Sequence, residues 1–248
     1  MAVRICFKVA NLVIDIGNTA LKAAWADGIT LGKTFRYQGE MYVDFILSLA
    51  ERQRPEIIVV STARELSEKE RMLLGKGCSR LIVIDPAHTE TVSGYGLPGY
   101  LSPDRAAGIA AVRYLFKGRP CTVFDFGTTL TIDFVDRSGR YAGGNISPGC
   151  RTRFKSLNRY SRKLPLVDTP DVIEDEGTSL VSSIGSGVIK GMMFEVEGYL
   201  GQHPENIVVF TGGDAIYFAK RMKNSIFVVC NLILIGLALI AEDYVQDI

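Results

Sequence analysis

The sequence predicts an α/β protein made of two copies of one lobe, each a mixed, mostly parallel sheet flanked by helices. Three observations carry that prediction. Short apolar runs of strand length alternate with helical stretches, the pattern of a helix-covered sheet with parallel strands. The plan strand, Asp-x-Gly-x-Thr, strand, turn, strand occurs twice, at LVIDIGNTALKAAW (12–25) and TVFDFGTTLTIDF (122–134), as an internal duplication would leave it. At 248 residues the chain is long for one simple core and suits two lobes of roughly 100–150 residues each. The boundary is expected near Gly118-Arg119-Pro120, dividing 1–118 from 119–248.

Each element follows from its residues. Leu12–Ile14 is a continuous apolar run, expected of a strand covered on both faces. Ala20–Trp25 and Ile29–Tyr37 flank Asp27-Gly28, a two-residue hairpin signal. Helical spacing covers Met41–Gln53 and stops before Pro55. IIVVS (57–61) predicts a strand, LSEKERMLLG (66–75) a helix and LIVID (81–85) a strand. Pro86, Gly94, Gly96, Pro98, Gly99 and Pro103 predict a loop over 86–103, and Ala106–Phe116 a helix. The opening plan then returns: a strand into Asp125, Gly127, Thr128 and Thr129, another through Val135, and a turn at Asp136–Gly139. Helices are expected at Ser186–Leu200 and Ala215–Met222, with a strand at Ile207–Phe210 between them. The run SIFVVCNLILIGLALIA (225–241) falls short of the ~20 residues that span a bilayer and holds Asn231 in its middle. It divides into a buried strand Ile226–Val229, Asn231 as helix N-cap and an apolar helix from Leu232.

Composition narrows the chemistry. A formal net charge of +1 gives no whole-protein field to draw nucleic acid or an anionic membrane. Five scattered cysteines, Cys6, Cys78, Cys121, Cys150 and Cys230, form no C-x-x-C pair, which argues for a reducing, cytoplasmic setting. With two histidines, His88 and His203, zinc and histidine base catalysis are not expected, and a general base should be a carboxylate. The N-terminal stretch with Arg4 and Lys8 reaches Asp15 without a small-residue cleavage site and is not a signal peptide.

The repeated motif points to phosphate. Glycine two residues after the acid removes a side chain, so backbone N–H groups and the threonine hydroxyl can approach an anion. Asp15 or Asp125, at the end of its strand, can hold a hydrated Mg²⁺ or a monovalent cation that bridges to phosphate oxygens. Two such turns facing across a cleft would grip the phosphates of ATP, and Lys22 would neutralise charge on the transferring group. The alternative is an ordinary strand-end turn with a self-capping aspartate; two copies 110 positions apart favour phosphate. GITLGKT (28–34) imitates a P-loop but has three residues, not four, between Gly28 and Gly32-Lys33, and it lies on a hairpin strand.

DIGNTALK (15–22), YGLPGYLSPDR (95–105), DFGTTLTID (125–133), GGNISPG (143–149), SGVIKG (186–191) and TGGDA (211–215) together resemble the type III pantothenate kinases. The resemblance implies duplicated ribonuclease-H-like lobes of the actin-like ATPase kind. It implies ATP-dependent phosphorylation of pantothenate at the first step toward coenzyme A, with Mg²⁺ and K⁺ or NH₄⁺ as cofactors and a homodimer with the site near the interface. Carried over residue by residue, Asp15, Ile16, Gly17, Asn18, Thr19, Ala20, Leu21 and Lys22 form the first phosphate segment, Asp15 reaching Mg²⁺ through phosphate, and Thr128 meets ATP phosphates. Asp125 holds the monovalent cation. Asp104 is the general base, Ser102, Pro103 and Arg105 stand at the substrate beside it, and Tyr95 lines the pocket. An aspartate open to water is ionised at neutral pH and ready to take a hydroxyl proton.

Two positions depart from the family's pattern. Ser102 stands where the family usually has glycine before the Asp-Arg pair, and Leu180 where it usually has a substrate-contacting threonine; Thr178 serves only if the alignment slips by two. Both touch the acceptor side, so a kinase of another small hydroxyl substrate, or a non-catalytic regulatory relative, stands as the alternative. The basic run RTRFKSLNRYSRK (151–163) is expected to be a solvated helix face rather than a nucleic-acid site.

Overall fold

The structure is a computed structural model that describes residues 10–246; Arg4, Cys6 and Lys8 lie outside the described residues. The first copy of the plan runs β1 (Asn11–Ile16), β2 (Leu21–Asp27), β3 (Thr30–Tyr37), α1 (Tyr42–Arg52), β4 (Ile57–Thr62), α2 (Glu68–Gly75), β5 (Arg80–Ile84), α3 (Glu90–Gly94) and α4 (Pro103–Leu115). The second runs β6 (Cys121–Phe126), β7 (Thr129–Val135), β8 (Tyr141–Pro148), α5 (Cys150–Tyr160), α6 (Leu180–Gln202), β9 (Ile207–Gly212), α7 (Ala215–Ala219), β10 (Ile226–Val228) and α8 (Leu232–Gln246). The sheets have orders β3-β2-β1-β4-β5 and β8-β7-β6-β9-β10. In each, the first three strands pair antiparallel and the last two join in parallel. The two sheets are one topology written twice.

Local signals place the elements. Gly28 and Gly139 take φ of 57° and 83° in the two hairpins, a region open to glycine and strained for other residues. Ser67 and Glu70 form a reciprocal capping box that starts α2, and Ser179 with Ser182 does the same for α6, each satisfying N–H groups that a helix start leaves bare. The second box starts α6 at Leu180, six residues before the apolar spacing alone suggested. Within the expected loop 86–103 the chain forms the one-turn α3, and α4 begins at Pro103, where a missing N–H costs nothing.

In the first unit, Leu12, Ile14, Ile58 and Val60 pack with Ile46, Leu49 and Leu74 of α1 and α2. The opposite sheet face is covered by α4 and α8, α8 crossing β1, β2, β3 and β4. This differs from the expected division at residue 118. The compact units are the chain up to Leu115 together with Leu232 onward, and Phe116–Asn231. The cause is the apolar character of α8: Leu232, Leu234, Leu237, Ala238, Ile240 and Ala241 are buried, and they lie against α4 and the first sheet.

The second unit centres on Phe124, Phe126, Phe154, Phe210 and Phe218, all buried, with the Phe126 and Phe218 rings stacked at 4.9 Å. Each such side chain contributes about 1.5–3 kcal/mol by leaving water. The strand expected to be buried at 226–229 is instead the edge strand β10, with Phe227 half exposed, because only β9 pairs with it. Of the basic run on α5, Arg151, Lys155 and Arg159 are exposed, whereas Arg153 turns in to Glu195. No helix among the described residues is long and apolar enough to cross a membrane. The four described cysteines are free, and Cys78, Cys121 and Cys150 are buried.

Candidate active site

Both acidic turns close in the same way. Gly17 N donates to the Ala20 carbonyl at 3.2 Å, and Gly127 N to the Thr129 carbonyl at 3.0 Å. Asp15 is 8% exposed at the end of β1, in register with Ser61 of β4 and Lys22 of β2; Asp125 is in register with Thr211 and Thr131. The residues Ile16 to Leu21 line a cavity of about 390 Å³ with Gln38, Glu40, Thr62 and Arg64, enough for several phosphate-sized groups. Asn18 and Thr19 thus face open space beside a buried carboxylate.

The turn at Asp125 is crowded by two other segments of its own unit. Gly149 N donates to the Thr128 carbonyl at 3.1 Å, and Thr152 Oγ1 donates to the same oxygen at 2.6 Å. A Cβ on Gly149 would sit 2.1 Å from the Gly127 carbonyl oxygen, and one on Gly212, whose φ is +92°, 2.4 Å from Asp125 Oδ1. GGNISPG and TGGDA therefore supply glycines that let backbone approach the acidic turn. Next to Gly212, Asp214 N donates to the Phe126 carbonyl at 3.2 Å, and burial pushes the Asp214 carboxyl above its ordinary value.

Among the described residues there is no group of three or more His, Cys, Asp or Glu that could hold a metal. A cation at Asp15 or Asp125 would therefore have a single carboxylate from that turn as its acidic ligand. That donor set suits Mg²⁺ carried on a nucleotide, which keeps several waters, and a monovalent ion equally. Both acidic turns fit such an ion.

Of the residues expected at the acceptor, Tyr95, Ser102, Pro103, Asp104 and Arg105 lie in the first unit and Leu180 in the second. Pro103 is buried, and Asp104 Oδ1 accepts from the Arg105 backbone N at 2.9 Å in the first turn of α4. Ser102 and Pro103 line a cavity of about 210 Å³ with Ala63, Asp85, Gly99 and Tyr100. Asp85 anchors its wall. Its side chain is fully buried and accepts from Leu66 N, Ala87 N, His88 N and His88 Nδ1, the last at 2.7 Å. Burial alone would raise the Asp85 carboxyl; these hydrogen bonds, led by His88, outweigh it and hold the group below its ordinary value. No motif marked Asp85 in the sequence, although it closes LIVID.

Tyr95 is placed apart from that wall. It lines a small cavity with Ile84, Leu97, Ala106 and Ile240, and its hydroxyl donates to Asp243 of α8. Burial and then Asp243 push its phenol far above its usual range. Arg113 Nη1 donates to the Tyr95 carbonyl at 2.7 Å. In the second unit Leu180 is 53% exposed at the first position of α6. Thr178 Oγ1 donates to Glu174 Oε2 at 3.2 Å, as does its backbone N at 3.1 Å, so its proton is spent locally.

The chain resembles known proteins in sequence and in fold. The family model described as type III pantothenate kinase matches residues 11–202, a span that includes Asp15, Asp104 and Asp125. A type III pantothenate kinase from Phocaeicola vulgatus is 37% identical over 232 residues, covering 92% of this chain and 96% of its own. Among solved structures, the activator of 2-hydroxyisocaproyl-CoA dehydratase from Clostridium difficile superposes with a TM-score of 0.59 at 13% identity, over 96% of both chains. The ROK hexokinase from Thermus thermophilus does so at 0.54 and 15%, over 95% of this chain and 99% of that one. These two likenesses establish the duplicated actin-like ATPase fold. With the fold, the paired acidic turns and the family match in agreement, the chain belongs to the type III pantothenate kinase family.

Proposed function

We propose that the chain transfers the terminal phosphoryl group of ATP to the hydroxyl of pantothenate, giving 4′-phosphopantothenate for coenzyme A synthesis. The observation that carries the reading is the family match over 11–202, because it spans both acidic turns and the Asp104 helix start. Asp104 takes the proton of the acceptor hydroxyl as its oxygen attacks phosphorus, and ADP leaves. What supports that role is an aspartate in the first turn of α4 whose Oδ1 accepts from its own neighbour's N–H and which directly follows Ser102 and Pro103, two residues that line a cavity. Phosphoryl transfer asks for positioning and charge rather than covalent help. The backbone N–H and side-chain amide of Asn18, and the hydroxyls of Thr19 and Thr128, hold phosphate oxygens, and Lys22 offsets their charge. Mg²⁺ on the nucleotide and K⁺ or NH₄⁺ at Asp125, when bound, neutralise charge on the phosphates. The reaction is tested by phosphopantothenate formation with K⁺ against Na⁺: turnover should depend on K⁺ or NH₄⁺.

A second reading, transfer to another small hydroxyl compound, is favoured by Ser102 at the cavity wall and by Leu180. Thr178, engaged with Glu174, is poorly placed to stand in for the missing threonine. A panel of hydroxylated metabolites separates the two readings by which acceptor stimulates ADP release.

The reading includes a homodimer. Its support is the outer face of α6, where a Cβ on Gly187, Gly191, Gly198 or Gly201 would meet open space and Phe194 is 65% exposed. Glycine inside a helix costs about 1 kcal/mol against alanine. Close approach of a second copy's α6 offsets that cost.

A further inference from the structure

Register sets four polar side chains in one row across the first sheet. Ser61 of β4 pairs with Asp15 of β1, Asp15 with Lys22 of β2, and Lys22 with Arg36 of β3. Residues directly opposite in neighbouring strands project from the same face. The row therefore ends in two cations side by side. Like charges set directly opposite repel, and among the described residues neither Lys22 nor Arg36 forms an ion pair.

The fold itself does not ask for this pair. The second sheet repeats the topology, and its corresponding row is Thr211, Asp125, Thr131 and Ile146, with no cation. At the other end of the first row, Ser61 is 0% exposed and its hydroxyl has no hydrogen-bond partner, although buried hydroxyls are normally satisfied. Two residues beyond Arg36, Gln38 Nε2 donates to the Thr19 carbonyl at 3.4 Å, tying the end of β3 to the phosphate turn. The row is polar from edge to centre, it starts at an orphaned buried hydroxyl, and the strand that carries Arg36 is tied to the phosphate turn two residues further on.

We propose that Lys22 and Arg36 form a two-cation clamp for the terminal phosphate of a nucleoside triphosphate, making Arg36 a phosphate-binding residue of this site. A phosphate between them turns their mutual repulsion into attraction for a shared anion. A guanidinium adds a planar pair of N–H donors that an ammonium lacks. The proposal rests on the kinase reading for the identity of its ligand, and its test is arranged to part from that reading.

Binding of a non-hydrolysable ATP analogue, of ADP and of inorganic tripolyphosphate is measured by calorimetry on the wild type, Arg36→Gln and Arg36→Lys. Arg36→Gln should weaken the analogue and tripolyphosphate by about tenfold or more while leaving ADP within about twofold, and Arg36→Lys should recover part of the loss. Arg36 is exposed on an edge strand, so the ligand-free unfolding temperature of Arg36→Gln should hold or rise. Equal weakening of ADP and the analogue, no weakening of either, or a lower ligand-free unfolding temperature overturns the clamp. A wild type that binds tripolyphosphate through Arg36 yet leaves pantothenate unphosphorylated sinks the acceptor assignment and leaves the clamp standing.

Discussion

Asp104 occupies a position that a helix start makes natural for an acid, since the N-terminal N–H groups favour negative charge. Its hydrogen bond to Arg105 N is of that local kind. The chemical role therefore has to be separated from the structural one by variants. Asp104→Asn keeps size and hydrogen-bonding capacity and removes the proton acceptor; turnover should fall by about 10²–10⁴-fold, while calorimetry should find nucleotide affinity nearly unchanged. Parallel loss of both would make Asp104 a structural or cation-binding group. Asp15, Asp104, Asp125 and the glycines around them were legible in the sequence as candidates because each stands inside a short motif. Ser61, Arg36 and Asp85 were not, because what distinguishes them is cross-strand register and burial, which no local spacing encodes. Asp85 also sets an acid limit. Its carboxyl is held below its ordinary value of 3.8, so its stabilisation is complete above that pH and is lost as pH falls toward the depressed value.

At the scale of elements, apolar runs and turn signals located the strands of both sheets except β8, whose glycine-rich stretch carries no apolar run, and β-hairpin glycines fixed two of the turns. Helix starts were harder. α6 begins at the Ser179–Ser182 capping box and α4 at Pro103, both ahead of the apolar spacing that revealed them. The packing of α8 depends on one position. A Cβ at Gly236 would lie 1.9 Å from the Ala107 carbonyl oxygen, so α4 and α8 meet backbone to backbone there. Gly236→Ala should push the helices apart and cost about 1–3 kcal/mol of stability, read as a lower denaturation midpoint. An unchanged midpoint would mean the two helices do not meet at that glycine.

At the scale of the whole chain, the duplication was visible in the sequence because Asp-x-Gly-x-Thr recurs with the same strands around it. The unit boundary was not. Gly118 has the positive φ of a turn, but a linear reading cannot show that α8 returns to cover the first sheet. The copies have diverged in charge: Lys22 and Arg36 stand where the second sheet has Thr131 and Ile146. The homodimer is a whole-molecule expectation as well. Sedimentation should give twice the chain's 27.2 kDa, and Phe194→Glu should shift the protein toward monomer; a wild type that sediments as a monomer at micromolar concentration rules it out.

Phosphorylation of pantothenate is the reaction proposed for this chain. The direct measurement is mass spectrometry of pantothenate incubated with the purified protein, ATP, Mg²⁺ and K⁺. A product heavier by one phosphoryl group should form in step with ADP and be absent without ATP. Pantothenate recovered unchanged, with no ADP formed beyond the acceptor-free control, would contradict it.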